Sequence, residues 1–150
     1  MRSDYQTIKV EPASDGVVVA TLNRPEKLNA VNGRMHSELS WLASDFDDDR
    51  SARVLLITGA GRAFCAGGDF SGGAPPGSEG AEMMVEAHRI VDGILECRKP
   101  IVSAVNGYAM GLGATVALLC DVVVAGTSAV FADTHVRMGK IGRASCRERV

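Results

Sequence analysis

No apolar run in this sequence approaches the roughly 18 residues that a membrane-spanning helix needs. No run of lysine and arginine marks a nucleic-acid face either, and the formal net charge is −2. The start, Met1-Arg2-Ser3-Asp4-Tyr5, carries no secretory apolar stretch. The four cysteines, Cys65, Cys97, Cys120 and Cys146, show neither Cys-x-x-Cys nor histidine-rich spacing, so reduced thiols are expected and no metal site is indicated. Two nucleotide motifs are also missing. Gly111-Leu112-Gly113-Ala114-Thr115-Val116 lacks the third glycine of the dinucleotide fingerprint, and no Gly-Lys-Ser/Thr follows a glycine loop. These absences point to a cytoplasmic protein with neither a nucleic-acid nor a membrane partner.

What is present suits one globular domain: 150 residues, 46% hydrophobic and 23% charged. Residues 141–150 stand apart, with three arginines in ten residues and no apolar period. They match, residue for residue, the translation of a common short-read sequencing-library adapter. Native sequence is therefore expected over residues 1–140, with 141–150 as read-through.

Taken in order, Tyr5–Val10 and Gly16–Leu22 favour strand, and Pro12-Ala13-Ser14-Asp15-Gly16 between them is turn chemistry, which predicts a hairpin. A polar loop, Asn23–Ala30, leads to a helix that Asn32 can cap and that places Met35, Leu39, Leu42 and Phe46 about one per turn. Its end, Asp45-Phe46-Asp47-Asp48-Asp49, opposes the helix dipole, and a solvated exit is expected rather than a metal site. Val54–Thr58 reads as a buried strand. A glycine-rich turn from Gly59 to Phe70 and a proline- and glycine-rich loop, Ser71–Gly80, follow it. Glu82–Cys97 reads as an amphipathic helix with Met83, Ala87, Ile90, Val91 and Ile94 inward, stopped by Pro100. Ile101–Val105 and Asp121–Ala125 read as buried strands, Ala114 onward as an apolar helix, and Val130-Phe131 as a short strand. The order β-β-α, β-α, β-α-β-β indicates an α/β architecture. His36 and His88, on predicted helices, are expected in solvent, and Cys65 is expected as a small buried filler.

The stretch Ile101–Asp121 carries the chemical signal. A buried strand delivers a turn containing Gly107, Gly111 and Gly113 to the start of a helix. First-turn N–H groups have no partner within a helix, and the helix dipole points the same way, so such a turn can hold an anion or oxyanion without a charged side chain.

Four segments then form a recognisable set: Arg24-Pro25-Glu26-Lys27-Leu28-Asn29-Ala30; Gly61-Arg62-Ala63-Phe64-Cys65-Ala66-Gly67-Gly68-Asp69; Ala104-Val105-Asn106-Gly107-Tyr108-Ala109-Met110-Gly111-Leu112-Gly113; and Leu118-Leu119-Cys120-Asp121. In order and spacing, over about residues 5 to 139, the chain resembles the enoyl-CoA hydratase/isomerase, or crotonase, superfamily. The resemblance implies a spiral of repeated β-β-α turns, here ending before the family's C-terminal helices, and assembly as a homotrimer or hexamer. It implies an acyl-CoA substrate, with coenzyme A as part of the substrate and no separate cofactor. It also implies an oxyanion hole built from two backbone amides, which fall on Gly68 and Leu112, and contacts to the coenzyme A of the thioester substrate at Lys27, Leu28, Ala30, Ala66, Asp69 and Phe70.

The chain departs from the family's hydratase pattern at two positions. Where hydratases carry two glutamates as general acid and base, this sequence has Thr115 and His135. A threonine hydroxyl cannot serve as a base near neutral pH but can hold a water, whereas an imidazole, with a reference pKa of about 6.5, can transfer protons. Asp133, two residues before His135, would share its face on an extended segment. Isomerase or other CoA-thioester chemistry, or a non-catalytic acyl-CoA-binding module, therefore stand beside hydration. With the C-terminal helices of the family absent, the apolar residues from Val122 to Met138 are expected to be uncovered and the chain to aggregate.

Overall fold

The computed structural model describes residues 4–69, 71 and 80–134. Phe70, His135 and the segment 141–150, all singled out from the sequence, lie outside the described residues.

The chain opens with the predicted hairpin. β1 (Ile8–Pro12) pairs antiparallel with β2 (Val17–Leu22) across a turn in which Asp15 and Gly16 take positive φ. A 3₁₀ turn over Pro25–Lys27 leads to α1 (Gly33–Asp48), where the Asn32 side chain accepts the Met35 N–H at 2.9 Å and so satisfies one first-turn donor. β3 (Val54–Gly59) then pairs parallel with β2.

From β3 onward the chain repeats one figure. A strand in the main sheet is followed by a three-residue strand in a second sheet and then, in two cases, by a helix: β3, β4 (Ala63–Cys65) and α2 (Gly80–Leu95); β5 (Ile101–Val105), β6 (Tyr108–Met110) and α3 (Leu112–Leu119); β7 (Val122–Ala125) and β8 (Val130–Ala132). The main sheet runs β1-β2-β3-β5-β7, and the second runs β4-β6-β8, parallel throughout. This is a spiral of β-β-α turns. β4 and β6 are strands that the sequence presents only as glycine turns, because three residues are too few to show a period.

The core lies between the main sheet and the helices. Strands β2, β3 and β5 alternate, burying Val18, Ala20 and Leu22, Leu55 and Ile57, and Ile101, Ser103 and Val105. Against them pack Met35, Leu39, Leu42 and Phe46 of α1, Ile90 of α2, and Val116 and Ala117 of α3. Each large apolar side chain buried this way contributes about 1.5–3 kcal/mol.

Four expectations are corrected here. Met83 is 44% exposed rather than inward. β7, read as a buried strand, is exposed along its whole length, in keeping with the expectation that the apolar residues from Val122 on are uncovered. His36 is buried, and its Nδ1 lies 2.7 Å from Glu86 Oε2 on α2, whereas His88 is exposed as expected. The acidic exit of α1 is not merely solvated. Lys99 Nζ donates to the carbonyls of Phe46 and Asp49 at 3.0 and 2.7 Å, and Arg98 Nε meets Asp47 Oδ2 at 2.7 Å. Those cations, from the loop before β5, oppose the dipole that the helix's own residues leave uncompensated.

Candidate functional site

Two turns, each following a strand of the second sheet, form the centre of the site. Residues 66–69 follow β4 and Gly111 follows β6, and since β4 and β6 are hydrogen-bonded neighbours the turns lie side by side. Two glycines make the fit possible. Gly67 has φ +93, and a Cβ there would stand 3.1 Å from the Met110 carbonyl oxygen. A Cβ on Gly113 would meet the Cys65 carbonyl and come within 2.7 Å of Cys65 Cβ. The start of α3 therefore rests directly on the end of β4, where the first turn begins.

Leu112 is the first residue of α3, where N–H groups lack an intrahelical acceptor and the dipole is positive. Gly111, before it, donates its own N–H to Ala132 of β8 at 2.9 Å and accepts Thr115 N–H at 3.0 Å. The Thr115 hydroxyl donates to the same Gly111 carbonyl at 3.2 Å, so it is turned back on the helix. Gly68 is exposed, and neither its amide nor that of Leu112 has an acceptor among the described residues.

The first loop is laced to this turn. Ala66 N–H donates to Leu28 at 3.0 Å, Val31 N–H to Gly67 at 2.7 Å, and Asp69 N–H to Val31 at 2.9 Å. Leu28 and Asn29 both take positive φ, which side-chain-bearing residues adopt at a cost. Asn29 holds that bend. Fully buried, it accepts Arg24 N–H at 2.9 Å and donates Nδ2 to the carbonyls of Ala60 and Ala63. Arg24 in turn donates Nη1 to the Ala30 carbonyl and Nη2 to Asp69 Oδ2, the latter at 2.8 Å. Ser71 donates its hydroxyl and amide to the other Asp69 oxygen; these bonds, with the Arg24 guanidinium, hold the Asp69 carboxyl well below the usual range.

Of the residues expected from the sequence, Lys27, Leu28, Ala30, Ala66 and Asp69 come together along the loop and first turn, and Gly68, Leu112 and Thr115 line the junction with α3. Lys27 is exposed at the end of the 3₁₀ turn. Cys65, beneath the junction, is a buried filler as expected, its thiol pushed up to about 11 by burial. Asp133 is exposed. Sequence reading gave no role to Arg24, Asn29 or Asn106. Their signal was a polar residue inside each motif at a place the fold buries or half-buries.

Among the described residues no helix is long and apolar enough to cross a membrane, and no group of three His, Cys, Asp or Glu side chains is placed to hold a metal ion.

The fold that carries these turns has close counterparts. The solved structure of an enoyl-CoA hydratase/isomerase from Mycobacterium paratuberculosis superposes with a TM-score of 0.85 at 42% identity, covering 91% of this chain and 56% of that one. A probable peroxisomal enoyl-CoA hydratase of Arabidopsis thaliana is 39% identical over 132 residues, 88% of this chain and 49% of the relative. The 1,2-epoxyphenylacetyl-CoA isomerase of Escherichia coli strain K12 is 40% identical over 131 residues, 84% of this chain and 50% of the relative. The chain thus spans about half the length of the curated relatives it matches. With the profile of the enoyl-CoA hydratase/isomerase family matching residues 12–150, the chain belongs to that family.

Proposed function

We propose that the protein binds acyl-CoA thioesters and stabilises the enolate-like charge that develops on the thioester oxygen, with the amides of Gly68 and Leu112 as donors. The observation that carries this reading is the junction itself: two backbone amides, one at a helix N-terminus, in turns locked together by the close approach of Gly67 to Met110 and Gly113 to Cys65. Preorganised donors of this kind typically contribute about 3–4 kcal/mol each to a transition state. Lys27, Leu28, Ala30 and Ala66 would line the coenzyme A portion. No cofactor beyond the coenzyme A of the substrate is required.

The reaction that follows enolate formation is set by the acid and base. Thr115 and His135 occupy the two glutamate positions of the hydratases, and with its hydroxyl turned to Gly111 Thr115 is a poor proton carrier. Isomerisation or another CoA-thioester reaction is therefore favoured over hydration, and the E. coli relative is named an isomerase. The same Thr115 contact supports a second reading, a non-catalytic acyl-CoA-binding module. A cytoplasmic setting and a homotrimer or hexamer belong to the proposal.

The test is a titration of the protein expressed from its full genomic reading frame with crotonyl-CoA, following the 2-enoyl absorbance and measuring binding by calorimetry. Binding without loss of absorbance supports isomerase-type or non-catalytic roles. Loss of absorbance establishes hydration without the glutamates. Absence of binding overturns the reading.

A further inference from the structure

We propose that Arg24 and Asp69 are positioning residues that aim the Gly68 N–H into the site, an inference that rests on the oxyanion reading above. In a trans peptide the C=O and N–H point in opposite directions. The peptide joining Gly67 to Gly68 gives its carbonyl to Val31 N–H at 2.7 Å, so the first loop points the Gly68 N–H away from itself. On the other side Asp69 N–H returns to Val31 O at 2.9 Å, and Gly68 is held between two bonds to one residue.

What fixes Val31 is the clamp. Arg24 reaches the Ala30 carbonyl with one nitrogen and Asp69 Oδ2 with another, tying the residue before Val31 to the residue after Gly68. The two side chains are only 15% and 11% exposed, so water competes weakly with the pair. Both carboxylate oxygens of Asp69 are engaged, one by Arg24 and one by Ser71, which gives it a role in geometry rather than in direct thioester contact. A lysine cannot reproduce the fork that serves Ala30 and Asp69 together.

The experiment uses the protein from its full genomic reading frame and a 2,4-dienoyl-CoA probe, whose absorbance shifts to the red when hydrogen bonds polarise its carbonyl. Affinity for butyryl-CoA and the thermal transition are measured alongside. Asp69→Asn and Arg24→Lys are expected to lose at least half of the wild-type red shift, and any turnover is expected to fall by about tenfold to a hundredfold. In Arg24→Lys, butyryl-CoA binding and a cooperative melt are retained. Where Asp69→Asn fails to fold, Arg24→Lys, which keeps the charge, carries the measurement. A full red shift in the folded variants overturns the proposal, and so does a loss of shift that only tracks a loss of butyryl-CoA affinity. A wild-type protein that binds the probe without any shift overturns the oxyanion reading itself, before any variant is compared.

Discussion

The Nδ2 groups of Asn29 and Asn106 both donate to the carbonyl of Ala63, at 2.8 and 3.4 Å, from opposite ends of the sequence motifs. Asn106 also donates to Gly59 and Gly61 and accepts Gly59 N–H. Replacing Asn29 by alanine removes the side-chain partner of Arg24 N–H and of the Ala60 carbonyl and leaves Ala63 with the longer Asn106 bond alone, at about 1–3 kcal/mol for each group left unpaired. Chemical denaturation of Asn29→Ala should show at least that loss, and Asn106→Ala a smaller one, since Asn106 is only half-buried.

Glu38 predicts an acid limit to stability. Burial raises its carboxyl, but bonds from the Thr7 hydroxyl, the Gln6 amide, Arg34 and the Thr7 amide outweigh burial and leave it below the ordinary 4.5. A carboxyl lowered in the folded state stabilises above its unfolded value and loses that contribution as pH falls through the folded one. Denaturation midpoints should decline below pH 4.5, and Glu38→Gln should flatten the decline.

Gly113→Ala should disturb the junction more than the helix. In an exposed helix alanine is the better residue, but here its methyl would meet Cys65, and overpacking of this sort costs about 1–3 kcal/mol. The expected result is a lower melting temperature with loss of thioester binding. Cys65→Gly in the same chain should recover only part of both, because the Cys65 carbonyl remains in the way.

Val122, Val123 and Val124 on β7 and Val130 and Phe131 on β8 are 37–56% exposed. An open apolar edge strand is a template for association. Light scattering of the 150-residue chain should rise with concentration, and Val124→Lys should suppress it.

The parts of the fold that could be read from the chain are those in which a side chain announces its own place. Asn32 and the spacing of Met35, Leu39, Leu42 and Phe46 specify α1, and the turn before Val17 specifies the hairpin. β4 and β6 could not be read, since their three residues gain strand geometry only from pairing within the second sheet. Nor could the burial of His36, which depends on where α2 lies across α1. The two turns of the candidate site were legible through their glycines. The Arg24–Asp69 link was not, because residues so distant in sequence are joined only by the spiral.

Because Gly68 follows β4 and Leu112 follows β6, and these strands are hydrogen-bonded neighbours, the two turns start side by side at the spacing of adjacent strands, about 4.8 Å. That length belongs to peptide geometry and is common to every β-ladder. The placement of the two turns therefore depends on the backbone ladder and not on the side chain carried at positions such as Thr115.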